Sequence, residues 1–332
     1  MVTPTPRVAL RVRARLQGTA ATARWFGRER IVVLGDDSVV LVEARVGRAS
    51  RERALPALEA ISMAVSPDGE RVAVGGLLGK VVILDASLEV VAEVQLDRAV
   101  DDICFSADGT TLALAAGRVV ALYDRDGTRR FSTELRNAAT AVALVSGRLA
   151  ASSSAGVQLW DASHGTPVRT YPSAYPLLSL SFSPEKRFMA CGAGTVGGAT
   201  ASVWELTRGV EFVLRGYDTK PRSLAWGVGE KLLATSGGPG LVLWTLEGEP
   251  VPELRRAHHR APVGHVASAR QRDLMASAGV DGKIAVWAPQ GETEPVGMLE
   301  LDAEPTSIEF APDDSELLIT DARGELALFQ LP

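Results

Sequence analysis

An all-β fold built from repeated four-stranded units is predicted by three features of the sequence. The first is a hairpin signal near the C-terminus, Leu274-Met-Ala-Ser-Ala-Gly-Val-Asp-Gly-Lys-Ile-Ala-Val-Trp287, where two short apolar runs flank Asp281-Gly282. Asp-Gly between such runs favours a tight turn, because the turn needs positive φ and glycine adopts it without steric cost. The second is recurrence. Similar pairs of runs end at Leu84, Tyr123, Trp160, Trp204, Trp244, Trp287 and Phe329. Their spacing of about 40 residues is the period of a four-stranded propeller blade. The third is a turn signature ahead of several hairpins: Ser66-Pro-Asp-Gly69, Ser106-Ala-Asp-Gly109, Ser183-Pro-Glu-Lys186 and Ala311-Pro-Asp-Asp314. There proline presets φ, and Asp or Gly closes the turn.

Taken in order, the chain opens on a strand. From Arg7 to Leu16 apolar and charged residues alternate. Val8, Leu10, Val12, Ala14 and Leu16 are expected on one face, and Arg7, Arg11, Arg13 and Arg15 on the other, as in a half-buried strand. Ala20 to Phe26, Arg30 to Leu34 and Val39 to Val42 form a degenerate first unit. The later units pair Arg71–Val74 with Val81–Leu84, Leu112–Leu114 with Val119–Tyr123, Leu149–Ser152 with Val157–Trp160, and Arg187–Cys191 with Ala201–Trp204. Leu232–Ser236 then pairs with Leu241–Trp244, and Glu316–Ile319 with Leu326–Phe329. The last unit stops at Phe329-Gln-Leu-Pro332, without room for an outer strand of its own. The simplest closure gives that place to residues 7–16, so the N-terminus completes the last unit. Charged side chains on such an edge strand discourage pairing with another chain. An Arg-rich nucleic-acid arm is the rival reading, and regular alternation speaks against it. The count is eight units, or seven if residues 20–45 are an irregular extension.

The terminal dipeptides carry a family likeness. Trp160-Asp161, with Leu84-Asp85, Tyr123-Asp124 and Trp204-Glu205 beside it, resembles the WD-repeat (WD40-type) β-propeller family over nearly the whole chain. The resemblance implies one β-propeller domain over residues 1–332, with eight blades, or seven as the alternative, in a ring closed by the N-terminal strand. It also implies a buried network of His, Ser or Thr, Asp and Trp. Ser277, Asp281 and Trp287 fit best, and the family's spacing before the serine points to His259, with His258 as the alternative. Gly264-His265 falls too late and lies within a strand. Other units carry Leu, Ala, Val or Cys191 at these places and are expected to rely on apolar packing.

Composition bounds the function. Hydrophobic residues at 46% and charged residues at 23% suit a folded globular chain rather than a disordered one. The net charge of −5 gives no overall argument for nucleic acid. No run approaches the ~20 apolar residues of a membrane span. Met1 to Gly18 lacks the continuous apolar core of a secretory signal, so a cytoplasmic location is the default. Cys104 and Cys191 are too few for a disulfide framework and read as small core residues.

Apparent chemical motifs dissolve on inspection. Gly192-Ala-Gly194-Thr-Val-Gly197 matches a dinucleotide fingerprint, but a strand rather than a helix follows, so it reads as a lengthened hairpin. Asp124-Arg-Asp126-Gly127 lacks the later ligands of a calcium loop. His258-His259 has no further ligand at metal spacing, and neither a metal nor a cofactor is implied. The inner-strand ends offer mostly Ala, Leu and Ser, which disfavours a hydrolase centred on the channel. The resemblance implies a non-catalytic scaffold that binds protein or peptide partners. No nucleic acid and no membrane insertion are expected, and the chain is expected to be monomeric by itself. A regulatory or sensor module working with a separate signalling enzyme is the alternative. Family topology puts the loops entering each blade on one face. There Tyr171, Tyr175, Tyr217, Lys220, Arg222, His258 and Arg260 are the candidate anchors, since aromatic residues and Arg dominate interface energetics.

Overall fold

The computed structural model describes residues 8–16, 18–195, 198–247, 250–255, 259–291 and 294–331. Its strands form eight four-stranded antiparallel sheets, and each sheet is one blade of a ring. The inner strands of blades 1 to 8 are Thr22–Phe26, Ala60–Val65, Val100–Phe105, Ala139–Val145, Ser181–Phe182, Leu224–Trp226, Val263–Ser268 and Pro305–Phe310. Blade 8 takes Ala9–Arg15 as its outer strand, giving the order Ala9–Arg15, Glu325–Gln330, Glu316–Asp321, Pro305–Phe310. The inner strand of blade 8 also lies against that of blade 1, which closes the ring.

The middle strands show why alternation is a weak guide within this fold. Thr111–Ala116 and Glu316–Asp321 are buried at every position. A strand covered on both faces reads as a continuous apolar run rather than an alternating one. Its two faces feed two different cores. Leu317 and Ile319 pack towards blade 7 with Leu274, Ile284 and Val286. Leu318 packs towards blade 1 with Ile31, Val33 and Val42. Outer strands have one covered face at most, so Arg48–Ala54 is largely exposed.

The closing strand departs from its expected pattern. Leu10 pairs with Phe329 and Val12 with Leu328, so Arg11 is an extra residue in a β-bulge. A bulge shifts the side-chain alternation by one. Val8 consequently packs towards blade 7, while Val12 and Leu16 pack towards blade 1. Leu10, expected inside, is 51% exposed. The arginines are more than a solvated fringe. Arg11 donates to the Ala44 carbonyl of blade 1 and pairs with Glu316, and Arg13 pairs with Asp302 and Glu325.

The turns between inner and second strands share one geometry. Ser66 N donates to Arg71 O and Gly69 N donates to Ser66 O, and the same pair of bonds recurs from Ser106, Ser183 and Ala311. The closing residue is left-handed each time: Gly69, Gly109, Lys186 and Asp314. Blade 6 has a fifth copy, from Gly227 to Glu230, that its sequence does not advertise. The glycine fingerprint of blade 5 is an extended hairpin, with Phe188–Thr195 paired to Gly198–Glu205. Its last glycine, Gly197, lies outside the described residues. No helix among the described residues is long and apolar enough to cross a membrane.

Candidate functional site

Blade 7 assembles a polar network at the top of its middle strands. Ser277 Oγ accepts a hydrogen bond of 3.0 Å from Trp287 Nε1 and lies 3.0 Å from His259 Nε2. Asp281 accepts from the backbone N–H groups of Arg260 and Lys283, and its carboxylate lies 3.7 Å from His259 Nδ1. Burial lowers the His259 pKa, against the pull of Asp281, so the imidazole is neutral near pH 7. Burial opposes ionisation of Asp281, yet the Arg260 and Lys283 N–H groups outweigh it and hold the carboxyl below its ordinary value. His258 lies outside the described residues. Trp287→Phe keeps most of the apolar volume and removes the donor. The expected loss is about 1–2 kcal/mol, read as a lower urea midpoint; an unchanged midpoint would mean that packing alone holds this blade.

A second, partial network stands in blade 6, where the sequence suggested none. Trp244 Nε1 donates to Thr235 Oγ1 at 3.2 Å. Tyr217 packs against the Trp244 ring with centroids 6.1 Å apart. Its hydroxyl is buried, and burial pushes its pKa up. Tyr217 precedes Thr235 by the same interval that separates His259 from Ser277. That interval was the available signal, with tyrosine standing in for histidine.

The upper face of the ring carries the loops between blades and the turns between middle strands. On it a groove of ≈ 690 Å³ runs across blades 5 to 7. One wall is the extended hairpin of blade 5, at Thr195, Gly198 and Ala199, and the other is Pro262, Val263, Gly264 and Val280 of blade 7. Between them lies the glycine-rich blade 6 turn, Ser236-Gly-Gly-Pro-Gly240, whose Ser236 lines the groove. The loop from Tyr217 to Arg222 lies along the groove. It sits directly on the blade tips because of two glycines. A Cβ at Gly192 would fall 1.6 Å from the Pro221 carbonyl oxygen. Gly237 has φ +94, and a Cβ there would fall 2.4 Å from the Thr219 oxygen.

The groove gathers only part of the anchor set. Tyr217, Lys220 and Arg222 line it, and Arg260 is exposed beside Asp281. Tyr175 is half-buried, outside the groove lining, with its hydroxyl accepting from Arg215 at 3.2 Å. Tyr171 corrects the expectation of a solvated loop anchor. It belongs to the outer strand Pro167–Pro172, is 5% exposed, and meets the Trp204 ring edge-on at 6.2 Å.

The channel also differs from expectation. Inner strands carry Arg24, Asp102, His265 and Glu309 in addition to small residues. An inner strand is a sheet edge, and its free backbone groups need partners. Five inner strands have a bulge at their second residue. In four of them the next side chain reaches the following blade. Ser62 Oγ donates to Val100 O, Asp102 accepts from Val142 N at 2.8 Å, Ser307 accepts from Ala23 N, and His265 engages the Pro305 backbone. Glu309 likewise accepts from Trp25 N. These groups act as struts between blades. Asp102, Glu309, Arg24 and Arg270 line a cavity of ≈ 590 Å³ at the lower mouth.

Burial raises the Asp102 pKa to about 6, against the Val142 and Ile103 N–H groups and Arg24. An unfolded aspartate titrates near 3.9. The fold therefore favours the protonated form. This group's stabilising contribution is complete below about pH 4 and is lost as pH rises through 6. The stability of Asp102→Asn relative to the unsubstituted chain should thus climb by roughly 2–3 kcal/mol between pH 4 and 8. Parallel thermal melts across that range check it, and a flat difference would refute it. Among the described residues no group of three or more His, Cys, Asp or Glu is placed to hold a metal ion.

Sequence and structure comparisons bear on this architecture. The family described as WD domain, G-beta repeat matches residues 248–288, the stretch that contains His259, Ser277, Asp281 and Trp287. Centriole proteome protein 16 of Chlamydomonas reinhardtii is 26% identical over 162 residues, covering 46% of this chain and 7% of that protein. The chain thus spans a small fraction of that relative's length. The computationally designed Ika8 protein superposes with a TM-score of 0.80 at 15% identity, covering 97% of this chain and 100% of its own; that likeness concerns the fold. The family repeat falls on the blade that joins His259, Ser277 and Trp287, the remaining blades repeat its four-stranded geometry, and the chain is an eight-bladed β-propeller similar to WD-repeat proteins.

Proposed function

We propose that the chain is a non-catalytic platform for protein partners, with the groove across blades 5 to 7 as its capture site. The reading places it in the cytoplasm, monomeric by itself. The observation that carries it is the juxtaposition of a lengthened blade 5 hairpin with a glycine-rich blade 6 turn. Together they break an otherwise regular upper face and open a cleft within the size range of binding pockets. The channel carboxylates support a non-catalytic reading, since Asp102 and Glu309 are committed to backbone N–H groups of neighbouring blades.

Gly264→Phe tests the site. A Cβ at Gly264 meets Val280 Cγ1 at 3.5 Å, an ordinary contact, so the ring is expected to project into the cleft without disturbing the fold. Affinity purification from the native cell, followed by identification of bound proteins, should show partners lost from this variant while its melting temperature is unchanged. An unaltered set of partners would rule the groove out.

A further inference from the structure

The charges along the groove indicate what it takes. Lys220 and Arg222 line it and are exposed. Among the described residues neither has a carboxylate within ion-pairing distance; exposed arginines such as Arg48, Arg136 and Arg215 share that state, and these two cations differ in lining a groove together. In a chain of net charge −5, an unpaired cationic edge runs against the overall balance. Asp218, at the start of the loop, is the one acid among the lining residues. Between the walls Ser236 lines the groove and accepts from Arg222 N and Ser223 N, which fixes the loop that carries the two cations.

Resting on the reading of this groove as a capture site, we propose that its occupant is an extended, carboxylate-rich segment of a partner protein. Its acidic side chains meet Lys220 and Arg222, and its main chain crosses the blade 6 turn. The groove is lined by residues of three successive blades, a course that an extended chain can follow. Nucleic acid is disfavoured, because its affinity grows with the number of phosphates neutralised, and the groove offers two cations with Asp218 beside them. Exposed ion pairs are individually weak, so charge here sets specificity and association rate more than affinity. Binding should therefore be salt-sensitive.

The test uses the full chain and a labelled synthetic Glu-Ser repeat peptide, followed by fluorescence anisotropy. A Gln-Ser repeat of equal length and a single-stranded RNA serve as comparisons. The Glu peptide is expected to bind, at least ~10-fold more tightly than the Gln peptide, and to weaken further as salt rises from about 0.05 M to about 0.5 M. Lys220→Glu with Arg222→Glu should weaken it by a further ~10-fold with an unchanged melting temperature, and Gly264→Phe should abolish it. Failure of the Glu peptide to bind, equal binding of the Gln peptide, retention by the charge-reversed chain, or preference for RNA would each overturn the proposal. Loss of native partners from Gly264→Phe alongside any of those results would leave the groove standing and reject only the acidic occupant. Unaltered capture by both variants would reject the site itself.

Discussion

Removal of residues 1–17 is expected to lower the melting temperature by roughly 10 °C. The third strand of blade 8, Glu325–Gln330, would lose its outer neighbour along its whole length. Val12 would leave the core between blades 8 and 1, and Val8 the one between blades 7 and 8. Arg11 would no longer join Ala44 to Glu316. Cross-strand pairs contribute about 0.2–1 kcal/mol each, and a buried valine about 1.5–3 kcal/mol. Offset by the entropy of ordering the strand, a net of about 4 kcal/mol remains a fair scale. At roughly 2–4 °C per kcal/mol for a large domain, that gives the stated shift. Calorimetry checks it, and a synthetic peptide of residues 1–17 added in trans should restore part of the loss. An unchanged melt would show that the N-terminal strand does not hold the ring closed.

Much of this fold was legible because the repeat is enforced by packing. A blade cannot cover its own faces, so every blade needs the same pair of apolar middle strands, and those runs are what the sequence displays. Closure by the N-terminal strand was legible for a different reason: the last unit lacks a fourth strand. The face of each side chain was less legible. One bulge between Leu10 and Val12 turns an apparently uniform apolar face into two, and alternation has no marker for it. Bulges in the inner strands hid the channel in the same way, placing Asp102, His265 and Ser307 against the next blade. In the network of blade 7 the spacing of the repeat was informative. The same spacing in blade 6 went unread because tyrosine occupies the place of histidine. Tyr171 was misjudged because the outer strand Pro167–Pro172 continues through a Tyr-Pro pair that looks like a loop. Gly192 shows the converse: its motif suggests chemistry, but the residue is there to let the Pro221 carbonyl approach.

The turn that closes each inner strand yields the sharpest contrast. Lys186 and Asp314 occupy the same left-handed position, with φ 64 and φ 58. Glycine adopts this conformation freely, while an L side chain there costs about 1–2 kcal/mol. Lys186 is exposed, so Lys186→Gly should stabilise the protein by about 0.5 kcal/mol, the strain relief less the added freedom of the unfolded chain. Asp314 is fully buried. Its carboxylate accepts from Arg270 N at 2.8 Å, Gln271 N at 2.7 Å and Arg272 N at 3.0 Å, all in the corresponding turn of blade 7. Hydrogen bonds to a charged acceptor contribute about 1.5–3 kcal/mol each. Asp314→Gly should therefore destabilise by about 3 kcal/mol even after its backbone strain is released. Glu230 follows the same logic: it too is left-handed, and its carboxylate accepts from Glu185 N in the turn of blade 5. A residue strained in one blade thus ties down the turn of the blade before it, so the same substitution carries opposite signs at two equivalent positions. Urea denaturation of the two variants decides the matter, and a stabilised Asp314→Gly protein would remove the carboxylate from any part in joining blades 7 and 8.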